Sequence, residues 1–164
     1  MGKMTDPSIA LESFQQALQL GEISLRRGTV DPDLHVFADS PNGENRLTYV
    51  KLNGQTVTAF ACFFVWEPID GVPCFHFGYA VPEAYRNQGR AKDIVDAAIA
   101  EMRHGFGRAG VPAFYIEAVV GLDNKASQRV AEQSVSANPS AITDSVSGLP
   151  ALQYIRKIVT AVAV

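Results

Sequence analysis

The hydrophobic period of the chain changes abruptly near residue 88, and this change constrains the fold more than any other feature. Residues 75–81 read FHFGYAV, an apolar run of strand length. After the polar turn at residues 86–89, apolar side chains recur at the spacing of one helix face, at Ile94, Val95, Ala98, Ile99 and Met102. The sequence therefore predicts a strand, a turn and a helix in that order.

Other segments of the chain predict further strands and helices around this unit. A helix is expected to begin at Asp6-Pro7 and to end at Gly21, because these residue types start and stop helices. Residues 46–66 predict a β-hairpin in which Asn53-Gly54 forms a type I′ turn. The remaining predictions are strands at 34–38, 74–81, 112–120 and 151–164, helices at 89–103 and 124–133, and loops at 67–73 and 134–150.

These elements place the chain in the mixed α/β (α+β) class, as a single domain over residues 1–164. A length of 164 residues is sufficient for one sizeable hydrophobic core. No run of 18 apolar residues predicts a membrane span, and a net charge of −3 argues against general nucleic-acid binding. Cys62 and Cys74 lie in apolar strands and are expected to be buried small hydrophobes, and no Cys/His spacing predicts a metal site. We expect a cytoplasmic protein.

The sequence offers two glycine-containing turns as candidate phosphate sites. Residues 105–110 read GFGRAG, but a dinucleotide fingerprint requires a strand before it and a helix after it. Here the order is reversed, so we interpret Gly105 as a helix C-cap and Gly107 and Gly110 as loop residues. The turn at 86–91, RNQGRA, has the required order, and a helix N-terminus next to a glycine can hold phosphate oxygens. From the residues alone, an exposed basic turn that caps an ordinary helix is an equal alternative.

Residues 86–91 resemble the [Q/R]-x-x-G-x-[G/A] signature of the GNAT N-acetyltransferases. The surrounding block FGYAVPEAYRNQGRA and the later block IEAVVGLDNKASQRVAEQ (116–133) resemble the same family, and the second block resembles its ribosomal-protein alanine acetyltransferase-like branch. The resemblance implies a mostly antiparallel sheet with helices on both faces and a splayed parallel strand pair at the site of acetyl-coenzyme A. It also implies a set of coenzyme-binding residues: Val81, Arg86, Asn87, Gln88, Gly89, Arg90, Ala91, Asn124 and Ser127.

The chain departs from the family pattern at three places. The tyrosine that often protonates the leaving thiolate is replaced by Ala131. The resemblance implies that Ser127 can serve instead, with a hydroxyl that bonds back to its own helix as the alternative. The glutamate that often serves as the base is replaced by Phe75, and the glycine-phenylalanine that closes the second helix is replaced by Val135-Ser136. His76 and Glu117 are the nearest titratable alternatives for the base, although either side chain also suits a structural role.

The function expected from this resemblance is acetyl transfer from acetyl-coenzyme A to an amine. The amine is either a protein N-terminus or a small molecule, and the apolar last strand allows a homodimer. A loop with Glu67 and Asp70 is a candidate contact for a cationic acceptor, with a solvated turn as the alternative. The alternative function is a non-catalytic acyl-coenzyme A-binding sensor or scaffold, which the departures at positions 75, 131 and 135–136 would suit.

Overall fold

Alternating apolar residues build the strands, and apolar stripes at helical spacing build the helices that cover them. The computed structural model describes residues 6–161, which form one eight-stranded sheet with helices on both faces. The elements in chain order are α1 (Pro7–Gln19), β1 (Arg26–Arg27), β2 (Leu34–Asp39), β3 (Arg46–Asn53), β4 (Thr56–Ile69), β5 (Val72–Ala80), α2 (Arg90–Arg108), β6 (Ala113–Gly121), α3 (Lys125–Ser134), β7 (Ser140–Thr143) and β8 (Pro150–Val159).

The strand order across the sheet is β1-β2-β3-β4-β5-β6-β8-β7. Every neighbouring pair is antiparallel except β5 and β6, which run parallel. A parallel pair needs a long crossover connection, and α2 provides it. This architecture confirms the predicted mixed class with a mostly antiparallel sheet and one parallel pair.

The two faces of the sheet form two hydrophobic clusters, as the alternation of β4 shows. Ala61 and Phe63 belong to the cluster of α2 and α3, whereas Phe60 and Cys62 belong to the cluster of α1. The predicted stripe of α2 is buried in the first cluster, where each buried branched aliphatic side chain contributes about 1.5–3 kcal/mol. Helix α2 is therefore held by tertiary burial of one face. Cys62 and Cys74 are free and buried, as expected.

Helix α2 is longer than predicted, which corrects the interpretation of Gly105 as a C-cap. Both Gly105 and Gly107 lie inside the helix, which ends at Arg108 with Gly110 in the left-handed conformation beyond it. A Cβ on Gly107 would lie 2.8 Å from the carbonyl oxygen of Ala161, so close packing of the chain end favours glycine here over better helix formers.

The two hairpin turns also differ from prediction. In the β3–β4 hairpin, Asn53 pairs with Thr56, so the turn residues are Gly54 and Gln55. Of these two residues, Gly54 has a positive φ and Gln55 does not, as in a type II′ turn. A type I′ turn requires positive φ at both positions, so the predicted type I′ turn is wrong. The predicted loop at 67–73 is instead the closed end of the β4–β5 hairpin. Its two turn residues, Asp70 and Gly71, have φ values of 51° and 76°, and β5 begins directly after them.

The last part of the chain contains one strand that the sequence did not indicate. Residues 140–143 form β7 within the predicted loop at 134–150 and pair with the beginning of β8. The predicted last strand ends at Val159, and residues 162–164 lie outside the described residues. Between positions 6 and 161, no helix combines the length and apolar composition that a membrane span requires.

Candidate functional site

The parallel strands β5 and β6 separate after only three paired positions. The last pair is His76 with Glu117, and the rest of β5 up to Ala80 has no partner on the β6 side. A cleft of about 700 Å³ lies at this end of the sheet. Its walls are the end of β5, the turn before α2, the exposed face of α3 and the first residues of α1. The strand separation that the resemblance implies is therefore present, and it opens into a cleft that also borders the 86–91 turn.

The turn that enters this cleft leaves the N-terminus of α2 without a side-chain cap. Gly89 is the N-cap residue, with φ 73° and ψ 10°, and no side chain bonds to the first turn of the helix. Asn87 also has a positive φ of 61°, which asparagine tolerates better than most residues. The first backbone N–H groups of α2 are thus left for an external acceptor, and they carry the positive end of the helix dipole.

The two predicted arginines of this turn are partly engaged in holding it. The Nε of Arg86 donates to the carbonyl oxygen of Val81 at 2.8 Å. The Nη1 of Arg90 donates to the Oγ1 of Thr58 at 3.2 Å, and its guanidinium lies 5.1 Å from the centre of the Tyr85 ring. Each guanidinium has five N–H donors, so both retain donors for a ligand.

The cleft has the opposite charge to the chain as a whole. Among its described lining residues, four are cationic and only Asp6 is anionic, whereas the chain carries −3. Two of the four cations, Lys92 and Arg129, were not predicted. Lys92 directly follows the signature, and Arg129 lies one helical turn after Ala126 on the α3 face that borders the cleft, so helical spacing could have indicated it. The concentrated positive charge favours a polyanionic ligand.

The first turn of α3 forms the wall opposite the 86–91 turn. The Oδ1 of Asn124 accepts a hydrogen bond from the backbone N–H of Ser127 at 3.1 Å, so Asn124 caps the helix. This leaves the amide nitrogen of Asn124 for other partners. The hydroxyl of Tyr79, a residue that the sequence reasoning missed, donates to the carbonyl oxygen of Ser127 at 2.6 Å. Burial raises the pKa of Tyr79 to about 12, although the Ser127 side chain opposes the shift.

The two candidate bases lie beside each other and away from this cleft. The Nε2 of His76 is 3.0 Å from Oε1 of Glu117, without the direction of a hydrogen bond, and the contact becomes an ion pair only when the imidazole is protonated. The Nε2 of Gln153 donates to the same oxygen at 2.7 Å, and Trp66 stacks on the imidazole with the ring centres 3.8 Å apart. Burial raises the pKa of Glu117, but the contacts with His76 and Gln153 outweigh it and hold the pKa below its ordinary value.

The structure therefore separates the predicted site residues into two groups. Eight of the nine predicted coenzyme-binding residues line the cleft; the ninth, Gln88, is exposed and accepts a hydrogen bond from Arg90 at 3.2 Å. The pair of His76 and Glu117 sits where β5 and β6 begin to separate, on strand positions that alternate with those of the α2 core.

The loop with Glu67 and Asp70 is far from the cleft. It lies at the closed end of the β4–β5 hairpin, whereas the cleft begins at the other end of β5, near Ala80. The strand between them spans about 25 Å at ~3.3 Å per residue. Neither acidic residue borders the cleft, so an acceptor would have to be long to reach both the cleft and this loop.

Comparison with known proteins identifies the fold and the family of the chain. The model of the acetyltransferase (GNAT) family matches residues 14–135. Two solved structures with TM-scores of 0.50 share its fold. One is RimL, a ribosomal L7/L12 alpha-N-protein acetyltransferase in complex with coenzyme A, with 18% identity over 72% of this chain and 64% of that chain. This chain thus spans less than two thirds of that protein.

The second structure is an acetyl transferase from Salmonella typhimurium that modifies the N-terminal serine of ribosomal protein L7/L12. It has 17% identity over 95% of this chain and 93% of that chain. At these identities the two structures show a shared fold. No curated protein sequence matches the chain.

Proposed function

Because the chain belongs to the acetyltransferase (GNAT) family, we propose that it transfers the acetyl group of acetyl-coenzyme A to a primary amine. The observation that carries the proposal is the uncapped N-terminus of α2, which faces a cationic cleft where the parallel strands separate. We further propose that residues 1–164 act as one domain.

The residues of the cleft fit coenzyme A. The free N–H groups from Gln88 to Ala91 suit the pyrophosphate, because backbone donors at a helix N-terminus bind phosphate oxygens. Arg86, Arg90 and Arg129 supply charge for the phosphate groups, whereas Lys92 pairs with Asp96, with its Nζ 2.6 Å from Oδ2. The separated end of β5 and the amide of Asn124 suit the amide-containing pantetheine arm. When bound, the coenzyme supplies an acetyl thioester, which is activated toward attack by an amine.

The chain's own residues supply the remaining needs of an acyl transfer. We assign the proton acceptor for the amine to His76 and not to Glu117, because both lie where the strands separate but the lowered pKa of Glu117 makes its carboxylate the weaker base. Glu117 and Trp66 orient its ring from two sides and act as positioning residues. The N–H of Val81 is the proposed donor to the carbonyl that develops negative charge, and Ser127 contributes a hydroxyl at the α3 wall.

The acceptor class is a primary amine, either a protein N-terminus or a small molecule. The two structures named above act on a ribosomal protein, which makes short peptides with a free N-terminus the first acceptors to test. A homodimer through β8 is a further proposal. β7 covers only the first four residues of β8, and the outer edge from Tyr154 to Val159 has no strand beside it among residues 6–161.

The second candidate function is a non-catalytic binder of acyl-coenzyme A. It is favoured by the burial of the proposed base pair, since His76 is 9% and Glu117 7% exposed and neither borders the cleft. The two functions differ in one measurable product, free coenzyme A. The experiment is thiol release from acetyl-coenzyme A with a panel of peptides and small amines. Amine-dependent release supports the enzyme, whereas tight coenzyme binding without release from any acceptor supports the binder.

The role of His76 is tested with the variant His76→Gln, which keeps a polar side chain of similar length. We expect a lower turnover rate with unchanged affinity for coenzyme A, because the residue lies outside the coenzyme cleft. A variant that turns over at the wild-type rate would remove His76 from the mechanism.

A further inference from the structure

Position 131, where the family resemblance leads one to look for a tyrosine hydroxyl, cannot supply a polar group to the cleft. Ala131 is fully buried in the core between α3 and the sheet, and it is not one of the residues that border the cleft. The chain must therefore present any hydroxyl donor from another position. Two tyrosines, Tyr79 and Tyr154, pack near each other in this part of the core.

Tyr79 is the one of these two tyrosines that reaches the cleft. It lies on β5 beyond the last residue paired with β6, and its ring packs on the core and against Phe77, with the ring centres 6.0 Å apart. Its hydroxyl contacts the first turn of α3 at the carbonyl oxygen of Ser127, 2.6 Å away. Tyr79, Asn124 and Ser127 all border the same cleft. The hydroxyl is thus held at the wall to which the proposed function assigns the reactive end of the coenzyme.

The hydroxyl of Tyr79 can leave its present acceptor without a large penalty. Ser127 lies within α3, where a carbonyl ordinarily accepts from the N–H four residues later, and a carbonyl oxygen has two lone pairs. The bond from Tyr79 is therefore an additional one, and its loss does not orphan the carbonyl. Because burial raises the pKa of Tyr79 to about 12, the group stays protonated at neutral pH and is available as a donor.

We propose that Tyr79 takes the place of the missing tyrosine and donates a hydrogen bond to the sulfur of coenzyme A. The proposal rests on the function proposed above, and it adds a residue that the family signature does not specify. A donor at the sulfur stabilises the negative charge that the sulfur gains when the acetyl group leaves, and hydrogen bonds to charged groups are the stronger ones.

Tyr154 provides the matched control for this proposal. It is fully buried on β8, its hydroxyl has no hydrogen-bond partner among the described residues, and it does not border the cleft. Tyr154→Phe and Tyr79→Phe each remove one oxygen from a core tyrosine. Only the second of these oxygens is placed to reach the coenzyme, so the pair separates the loss of a sulfur contact from a general change in the core.

The test compares coenzyme A with desulfo-coenzyme A, which lacks the sulfur, by titration calorimetry across the ionisation of the thiol. The wild-type protein should prefer coenzyme A increasingly as the thiol ionises, and Tyr79→Phe should lose about tenfold or more of that preference. Affinity for desulfo-coenzyme A should be equal in the wild type, Tyr79→Phe and Tyr154→Phe. In an acetyl-transfer assay, Tyr79→Phe should be slower by roughly 10²-fold and Tyr154→Phe unchanged.

Two results would overturn the proposal. The first is a wild-type protein whose preference for coenzyme A does not change with pH, a result that does not depend on the folding of any variant. The second is a folded Tyr79→Phe variant that keeps the wild-type preference; if Ser127→Ala loses the preference at the same time, Ser127 is the donor. If the wild type binds neither coenzyme A nor desulfo-coenzyme A, the proposed function fails as well, whereas equal binding of both refutes only the role of Tyr79.

Discussion

Replacing Gly89 with aspartate tests the proposed phosphate site at its closest backbone position. Gly89 has a φ of 73°, and a Cβ built on it meets no atom within 4 Å. A side chain at this position therefore causes no clash, and its main structural effect is the cost of a left-handed backbone, about 1 kcal/mol. For a domain of this size, that corresponds to a fall in Tm of roughly 2–4 °C.

The carboxylate of Gly89→Asp has opposite effects on stability and on binding. It lies at the N-terminus of α2, where a negative charge stabilises a helix by about 0.3–1 kcal/mol. The uncharged variant Gly89→Asn lacks this gain, so the aspartate variant should be at least as stable. A phosphate within about 4 Å of the carboxylate would be repelled by about 1 kcal/mol in water and about 4 kcal/mol near a protein surface. Coenzyme affinity should therefore fall roughly 5- to 1000-fold relative to Gly89→Asn.

The assay is titration calorimetry with coenzyme A, together with thermal unfolding of each variant. Gly110→Asp is the matched control, because Gly110 also has a positive φ, 82°, with no atom near its Cβ, but follows the opposite end of α2 outside the cleft. It should lose stability and keep the wild-type affinity. A folded Gly89→Asp variant that binds coenzyme A as tightly as Gly89→Asn would refute the placement of the pyrophosphate at this turn.

Three further substitutions test other parts of the structure. Ser127→Ala should lower the turnover rate by up to about 10²-fold without changing Tm, since the Ser127 hydroxyl makes no hydrogen bond within the described residues. Unchanged turnover would exclude it from the reaction. Because the pKa of Glu117 is depressed in the folded state, its ionised form adds stability above about pH 4.3 that is lost as the pH falls through the folded-state pKa. Urea unfolding of Glu117→Gln should lack this acid-dependent loss, and a pH profile identical to wild type would contradict the assignment. Glu101→Ala removes the buried carboxylate that accepts from the N–H groups of Thr29 and Val30, and should lower the free energy of unfolding by about 2–4 kcal/mol in the same assay. An almost unchanged free energy of unfolding would mean that water replaces the carboxylate.

The parts of the fold that the sequence predicts correctly are those with local signals. The strand, turn and helix around residue 88 follow from a change of period within one short segment, and the α2 stripe is buried as predicted. β7 has no such signal, because its four residues are mostly exposed in a Ser- and Pro-rich segment. The glycine at position 107 of α2 fits a close approach of Ala161, which is distant in sequence and therefore gives no local signal.

The same distinction applies to the candidate site. The 86–91 turn can be recognised because its residues are consecutive and because a strand precedes it and a helix follows it. The pairing of His76 with Glu117 depends on the register of two parallel strands, and the contact of Tyr79 with Ser127 joins residues 48 positions apart. The sequence indicates His76 and Glu117 as alternative bases, but only the register shows that they lie side by side. The sequence carries no local signal for Tyr79, which looks like an ordinary core residue of β5.

A crystal structure of the protein with coenzyme A bound would show directly whether the coenzyme lies in the cleft. We expect the pyrophosphate to contact the backbone N–H groups from Gln88 to Ala91 and the pantetheine arm to enter the space where β5 and β6 separate. The sulfur should then lie within hydrogen-bond distance of the Tyr79 hydroxyl. Coenzyme bound at any other surface, with the 86–91 turn empty, would contradict the proposed coenzyme site.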